Sequence, residues 1–212
     1  MRKALVAVGV VLVLLVGADL GLHALAQYWI AGQLQSSFDL ERRPSVSLGG
    51  FPFLPRLVTG RFSSVTVESN GAVKTGRFSV SRVDLTLRDV HFQPDQLLFG
   101  NKATIKARGG SGTVILTERD INRAFPATIP VTIRLRGGKV RIRSSDLQGE
   151  VETKLRVSDN RLVLMPVEGS LPVEMRVALP VLVRGLTYTG VEIQGSRARV
   201  RFRLTKPRIE VR

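Results

Sequence analysis

The chain of 212 residues contains no cysteine, only two histidines and a single tryptophan. The absence of cysteine excludes a disulfide framework and any metal site with thiolate ligands. Aromatic residues make up 6% of the chain, which is too few for a series of platforms that stack single-stranded bases. The chemistry of the protein therefore depends on arginine, carboxylate, hydroxyl and aliphatic side chains.

Motifs typical of enzymes are also missing. The sequence has no H-E-x-x-H, no G-x-S-x-G and no Walker loop. These short patterns are typical of zinc metalloproteases, serine hydrolases and nucleotide-binding phosphate loops, respectively. The segment Gly109-Gly110-Ser111-Gly112-Thr113 lacks the final glycine of a nucleophile elbow. We expect no enzymatic activity, no catalytic residue, no metal site and no cofactor.

Basic residues outnumber acidic ones, 32 to 17, for a formal net charge of +15. Such a charge calls for an anionic partner. Four arginines alternate with apolar residues on one predicted strand, at positions Arg197, Arg199, Arg201 and Arg203. This pattern fits the solvated outer face of a half-buried sheet, and it also fits phosphate recognition by guanidinium groups.

The N-terminus resembles a targeting segment. Arg2 and Lys3 precede an uninterrupted apolar run from Ala4 to Ala18, as in the n-region and h-region of a signal peptide. The apolar run ends at Asp19 after about fifteen residues, short of the roughly 20 that cross a bilayer comfortably. His23-Ala24-Leu25-Ala26 offers an A-x-A-like cleavage site.

Residues 1–26 are therefore predicted to be a signal peptide or an N-terminal membrane anchor. Residues 27–212 are predicted to form a single exported domain in the cell envelope or periplasmic space. Anionic head groups are plentiful there, whereas nucleic acid is not a usual partner. We expect the protein to act as a monomer on anionic phospholipid and a membrane surface, and to bind no nucleic acid.

The residue pattern predicts a mainly β, α+β fold. Ala24 to Phe38 has apolar residues at four-residue spacing, which favours an amphipathic helix that continues the hydrophobic segment. After Gly60 the chain alternates in the manner of strands, with turns expected at Asn70-Gly71 and at Gly109 to Gly112. We expect a strongly curved, barrel-like antiparallel sheet wrapped around one long N-terminal helix.

Local signals refine this prediction. A change of apolar parity near Ser81-Arg82 predicts a β-bulge or a break in the strand, because side chains alternate strictly along a strand. Thr117 is the expected N-cap of a short helix that ends before Pro126. Pro94 to Gly100 is predicted to be a short loop or helical turn.

The segment Phe51-Pro52-Phe53-Leu54-Pro55 is apolar but poorly suited to a helix interior or a central strand, since proline lacks the N–H group that both require. Such a segment must pack beneath another element or meet a lipid. Three arginines close to it are candidate ligands for a head-group phosphate: Arg42, Arg43 and Arg56.

Gly50-Phe51-Pro52-Phe53-Leu54, followed by Gly60-Arg61-Phe62, resembles the actinobacterial LmeA-like phospholipid-binding family. The likeness extends over nearly the whole chain after the signal region, through Gly112-Thr113-Val114, Asn160 to Leu164 and Gly185 to Val191. The family is similar to the tubular lipid-binding, BPI-like proteins. The resemblance implies that a bent antiparallel sheet wraps a long helix and encloses an acyl-chain pocket. It also implies binding of phosphoinositide-type lipid and support of cell-envelope lipid or mannolipid maturation.

These observations lead to a hypothesis for the lipid site. The apolar mouth is predicted to consist of Phe51, Phe53, Leu54 and Leu57. The lining of the pocket is predicted to include Ile30, Leu34 and Phe38. The alternative is a membrane-anchored scaffold with a solid core, whose arginine-rich face docks acidic envelope polymers or a partner protein; sequence leaves a packed core and a cavity equally open.

Overall fold

A computed structural model describes residues 2–37, 40–75, 78–99, 103–125, 131–144, 150–166, 174–181 and 183–211. The helices in this part of the chain are α1 (Arg2–Ser37), α2 (Phe53–Thr59), α3 (Pro94–Phe99) and α4 (Glu118–Ala124). The strands are β1 (Ser45–Gly49), β2 (Arg61–Thr75), β3 (Phe78–His91), β4 (Ala103–Thr117), β5 (Val131–Arg136), β6 (Lys139–Ser144), β7 (Glu150–Ser158), β8 (Arg161–Pro166), β9 (Met175–Ala178), β10 (Leu186–Gln194), β11 (Arg197–Thr205) and β12 (Arg208–Val211).

The strands form two antiparallel sheets in the described part of the chain. The large sheet has the order β1-β2-β3-β4-β11-β10, with β12 also paired to β4, and the small sheet has the order β5-β6-β7-β8-β9. The large sheet curls into a half-barrel. The predicted fold class is confirmed: the chain is mainly β, antiparallel and curved, and it has one long N-terminal helix.

The apolar segment and the amphipathic segment form one continuous helix, α1. This helix packs against β1, the edge strand of the large sheet, and against α2. Ala31 is buried, and Ala26, Ile30 and Leu34 pack against the hydrophobic core. The four-residue spacing found in the sequence therefore marks the face of α1 that contacts the domain.

The turn predicted at Asn70-Gly71 is wrong, because β2 runs through both residues and stays paired with β3. The irregularity expected near Ser81 is present in this pairing, where the register shifts between Asn70 and Val73. The extra residue lies in β2 rather than in β3. The extra residue therefore interrupts the alternation of β2, and in this pairing β3 itself carries no bulge.

The turn predicted at Gly109 to Gly112 is also wrong, since these residues lie inside β4. They serve close packing instead of a turn. A Cβ atom on Gly112 would lie 2.2 Å from the Asp84 carbonyl oxygen and 2.4 Å from Cζ of Phe202. Glycine in a strand interior often marks such a close approach, and here it admits the Phe202 ring into the core.

The short helix predicted after Thr117 is confirmed as α4. The Thr117 hydroxyl accepts the backbone N–H of Asp120, and the Asp120 carboxylate accepts the backbone N–H of Thr117. This reciprocal arrangement is a capping box. It sets the start of α4 at the point where the chain leaves the large sheet for the small one.

Two asparagine side chains form hydrogen bonds with backbone N–H and carbonyl groups of edge strands that have no described partner strand on that side. Asn122 on α4 donates to the Ile133 carbonyl oxygen at 2.8 Å and accepts the Ile133 N–H at 2.7 Å. Asn160, at the β7–β8 turn, accepts the Tyr188 N–H at 2.8 Å and donates to the Leu186 carbonyl oxygen at 3.3 Å. Each amide thus continues the hydrogen-bonding pattern of an edge strand.

The core lies on the inner faces of both sheets. Ala198, Val200, Phe202 and Leu204 of β11 are buried, while the arginines between them are exposed. Tyr188 is also buried; its hydroxyl donates to the Pro180 carbonyl oxygen at 2.8 Å, and burial raises its pKa to about 12. The strict alternation on β11 shows that the arginine stripe is an outer face.

Replacing Asn122 by alanine should destabilise the protein by about 2–4 kcal/mol, because the Ile133 N–H and carbonyl groups both lose their side-chain partner. Chemical denaturation of the full chain in mild detergent, followed by far-UV circular dichroism, measures the change. Asn70→Ala is the matched control, since Asn70 is exposed and its side chain makes no hydrogen bond to a described residue. Equal stability of the two variants would contradict the assignment.

Candidate functional site

The segment that carries the Phe-Pro pattern forms α2, a short helix between β1 and β2. Proline is poorly suited to a helix interior, and the structure places Pro52 at the N-cap and Pro55 in the first turn. A first turn tolerates proline because its N–H groups have no partner within the helix. The helix ends at Gly60, whose left-handed backbone (φ 64°) allows its N–H to reach carbonyl oxygens of α2.

A carboxylate from α1 caps the start of α2. Asp19 accepts the Phe53 N–H at 2.9 Å and the Leu54 N–H at 2.7 Å. Proline at the N-cap offers no side-chain acceptor of its own, so Asp19 supplies the acceptor from a helix far away in sequence. Asp19 is only 5% exposed, and a charge at this position interacts favourably with the N-terminal end of the helix dipole.

An aromatic column continues this contact from α1 into the large sheet. The His23 ring stacks on Phe53 with centroids 4.9 Å apart, Phe53 lies 5.8 Å from Phe62, and Phe62 lies 5.8 Å from Phe92. His23 Nε2 donates to the Leu48 carbonyl oxygen of β1 at 3.0 Å. The column and the Asp19 cap together dock α1 on the domain.

The predicted apolar mouth divides into buried and exposed parts. Phe53 is 1% exposed and belongs to the aromatic column. Leu54 and Leu57 are half-buried, with Leu57 packed against the core, and Phe51 is 63% exposed.

The predicted lining residues that the structure describes lie on α1 and contact the core. Ile30 and Leu34 are half-buried and pack against the core. Phe38 lies outside the described residues.

The three candidate phosphate ligands do not share one neighbourhood. Arg42 is exposed, and the Arg43 guanidinium lies over the Tyr28 ring at 4.1 Å from its centroid. Arg56 packs along Gly50, where a Cβ atom would lie 2.5 Å from the Arg56 Nε. Tyr28 follows Asp19, the residue that caps α2, by about 14 Å along α1 at about 1.5 Å per residue. Arg43 therefore lies at a different level of α1 from the α2 cap.

Arg56 is the most suitable of the three for an incoming anion. Its Nε atom is buried and makes no hydrogen bond to any described residue. A buried donor without a partner is costly, and a phosphate oxygen would satisfy it through a charge-assisted hydrogen bond.

The structure also shows exposed apolar side chains on α1 and α2 that were not predicted to belong to the site. Those on α1 are Leu20, Leu22, Leu25, Tyr28 and Trp29, and the one on α2 is Val58; the predicted Phe51, just before α2, is exposed as well. Val58 is 76% exposed. The signal that could have located this region is Asp19, because a carboxylate within an apolar helix needs a nearby partner.

Among the described residues, no group of three or more histidine and acidic side chains is arranged to hold a metal ion. The long apolar stretch Val13–Ser37 of α1 has the length and composition of a membrane span. The chemistry available around α2 is thus an apolar surface, a buried guanidinium donor and an adjoining apolar helix.

Comparisons with known proteins agree with this description. No curated protein and no solved structure matches the chain. The model of the LmeA-like phospholipid-binding family matches residues 17–210, nearly the whole chain. The chain therefore belongs to the LmeA-like phospholipid-binding family.

Proposed function

We propose that the protein is an exported, non-enzymatic and monomeric protein that binds an anionic phospholipid beside α2 while α1 anchors it in the membrane. Membership of a phospholipid-binding family supports a phospholipid as the ligand. The observation that carries the location is the Arg56 Nε, which is buried and makes no hydrogen bond to a described residue. It lies on α2, the helix that also carries the exposed Val58 and comes shortly after the exposed Phe51. On the family resemblance, the lipid is of the phosphoinositide type and its binding supports envelope lipid or mannolipid maturation.

The contacts of α1 favour an anchor that stays attached. Cleavage after Ala26 would remove both Asp19 and His23. The Phe53 and Leu54 N–H groups would lose their acceptor, and the buried Phe53 ring would lose its stacking partner. The family match also begins at residue 17, upstream of the predicted cleavage site.

The two faces of α1 differ in a way that suits a bilayer. The face that carries Asp19 and His23 contacts α2 and β1. The opposite face is apolar as far as Leu25 and is followed by Tyr28 and Trp29. From Ala4 to Leu25 the helix extends about 33 Å, close to the thickness of the hydrocarbon core of a bilayer.

In this arrangement α2 shields Asp19 from lipid. Tyr28 and Trp29 then lie at the membrane interface, where such side chains are enriched. The exposed Phe51 and Val58 contact the outer layer of the same bilayer. A lipid entering past Phe51 and Leu54 brings its phosphate toward Arg56, whereas the buried Phe53 holds α2 on the sheet.

The protein recovered from membranes should have the mass of a chain that still contains Asp19 and His23. Intact-mass spectrometry of the full gene product, expressed in a host with its own export machinery, measures this. Asp19→Ala should lower the thermal midpoint, because the cap of α2 is lost. A mature N-terminus at Gln27 in a folded protein would contradict the retained anchor.

Phe51→Asp combined with Leu54→Asp should abolish co-purification of phospholipid, because both changes place charge on the apolar surface that lipid crosses. Lipid extraction and mass spectrometry of the purified protein give the measurement. Val181→Asp is the matched control, since Val181 is 55% exposed and lies in another region. Phospholipid bound equally by the folded double variant would refute the site, and its absence from the wild-type protein would favour the scaffold alternative.

Arg56→Gln should weaken binding of phosphatidylinositol in detergent about tenfold, because the charge-assisted contact to phosphate is lost. Arg61→Gln provides the control with the same change in charge at an exposed position, and it should change binding by less than about twofold. A fluorescence titration with labelled phosphatidylinositol compares the variants. Equal losses in both would mean that net charge, and not Arg56, determines binding.

A further inference from the structure

A separate groove of about 390 Å³ lies on the outer face of the large sheet, and no residue of α2 lines it. It crosses β3, β4 and β11, and we call it the outer groove. Its polar lining consists of Asp84, Thr86, Ser111, Thr113, Thr189, Arg201 and Arg203. Its side chains thus include guanidinium, hydroxyl and carboxylate groups in one open depression.

Strand register explains why these side chains meet. Arg201 pairs with Thr113, which pairs with Asp84, so one row crosses three strands. Arg203, Ser111 and Thr86 form the next row. Residues two apart on a strand are about 6.7 Å apart, and strands two apart are about 9.6 Å apart. The outer groove therefore has a cationic side and a carboxylate side, with hydroxyl groups between them.

The cationic side is open to an added anion. Arg201 and Arg203 are exposed, and neither forms an ion pair with a carboxylate in the described part of the chain. A bulge between Tyr188 and Gly190 places Thr189 beside them. The Arg201 guanidinium lies beside Gly190, where a Cβ atom would be 3.4 Å from one of its terminal nitrogens, an ordinary van der Waals distance.

The carboxylate side is held in place. Asp84 accepts a hydrogen bond from Arg82 Nε at 2.9 Å and one from the Thr113 hydroxyl at 3.4 Å. A carboxylate has further lone pairs for hydroxyl donors, whereas it would repel a second anion. A ligand that fits both sides carries a phosphate at one end and free hydroxyl groups at the other.

From this arrangement we propose that the outer groove binds a phosphorylated carbohydrate or polyol. The phosphate accepts hydrogen bonds from Arg201 and Arg203. A guanidinium group can donate two parallel hydrogen bonds to two phosphate oxygens. The ligand hydroxyls donate to Asp84 and exchange hydrogen bonds with Thr86, Ser111 and Thr113. This site is distinct from the lipid site at α2, and its ligand is either soluble or the head group of a lipid.

The test uses the full chain in mild detergent and isothermal titration with glucose 6-phosphate, inorganic phosphate and glucose. Glucose 6-phosphate should bind most tightly. The double variant Arg201→Gln and Arg203→Gln should weaken its binding at least about tenfold, because hydrogen bonds to charged groups contribute on this order. The control, Arg156→Gln with Arg161→Gln, removes the same charge from exposed positions on the small sheet and should change binding by less than about twofold.

The variant Asp84→Asn distinguishes binding of the ligand hydroxyl groups from binding of its phosphate. It should lower the affinity for glucose 6-phosphate but not for inorganic phosphate, whereas the arginine double variant lowers both. Absence of saturable binding, or equal weakening by the control variant, would overturn the proposal. Unchanged thermal midpoints establish that the variants are folded.

Nanodiscs of phosphatidylcholine with or without phosphatidylglycerol identify the source of the ligand. Competition between phosphatidylglycerol and glucose 6-phosphate in the wild-type protein, lost in the arginine double variant, assigns the groove to a hydroxylated lipid head group. Lack of competition, with tight binding of glucose 6-phosphate, assigns it to a soluble phosphorylated carbohydrate. Either result supports the proposed ligand chemistry, and neither depends on lipid bound at α2.

Discussion

The hydrogen bonds from the Asp19 carboxylate to the start of α2 are the interaction on which the N-terminal half of the structure depends. A helix begins with N–H groups that lack partners, and Pro52 brings no side-chain acceptor to them. Asp19 accepts the first two of these groups at 2.9 and 2.7 Å, while α2 covers the carboxylate in return. The Asp19 carboxylate of α1 and the unpaired N–H groups at the start of α2 therefore satisfy each other. Phe53 can then stack on His23 and reach the sheet.

The same physical rule joins the two sheets. An edge strand exposes backbone groups that must find partners. Asn122 pairs with both backbone groups of Ile133 on β5, the edge of the small sheet, and Asn160 bonds to Leu186 and Tyr188 on β10, an edge of the large sheet. An asparagine side chain reproduces the donor and acceptor of a peptide group. An asparagine side chain can therefore satisfy the backbone groups of an edge strand when no further strand pairs with it. Asn160, in the β7–β8 turn, in this way also attaches the small sheet to β10 of the large sheet.

The sequence predicted features that depend on local alternation and capping, including the arginine-bearing strand β11 and the Thr117 cap of α4. It failed where the partner was distant. The glycines of β4 suggested a turn because nothing local reveals that Phe202 packs on Gly112. Pro52 and Pro55 suggested irregular chain because their helix is capped by a residue far upstream. For the same reason, Phe53 was predicted to lie at the mouth, yet it is buried within the aromatic column. Register across β3, β4 and β11, which creates the outer groove, is likewise a long-range property.

The positions of the two proposed sites bear on which partner the basic charge of the chain indicates. The edge strand β1, which contacts α1, is two positions from β3 and four positions from β11, the first and last of the three strands that the outer groove crosses. These separations are about 10 and 19 Å at about 4.8 Å for each neighbouring pair. Groups separated by more than about 10 Å without shared partners contribute almost independently to free energy. Most of the net charge of +15 lies outside the α2 site, so that charge does not by itself indicate lipid. The alternation of β11 exposes every second residue, and placing arginine at those positions produces a cationic outer face without disturbing the core. The proposed lipid site at α2 and the proposed anion site in the outer groove can therefore coexist, because no residue of α1 or α2 lines the groove.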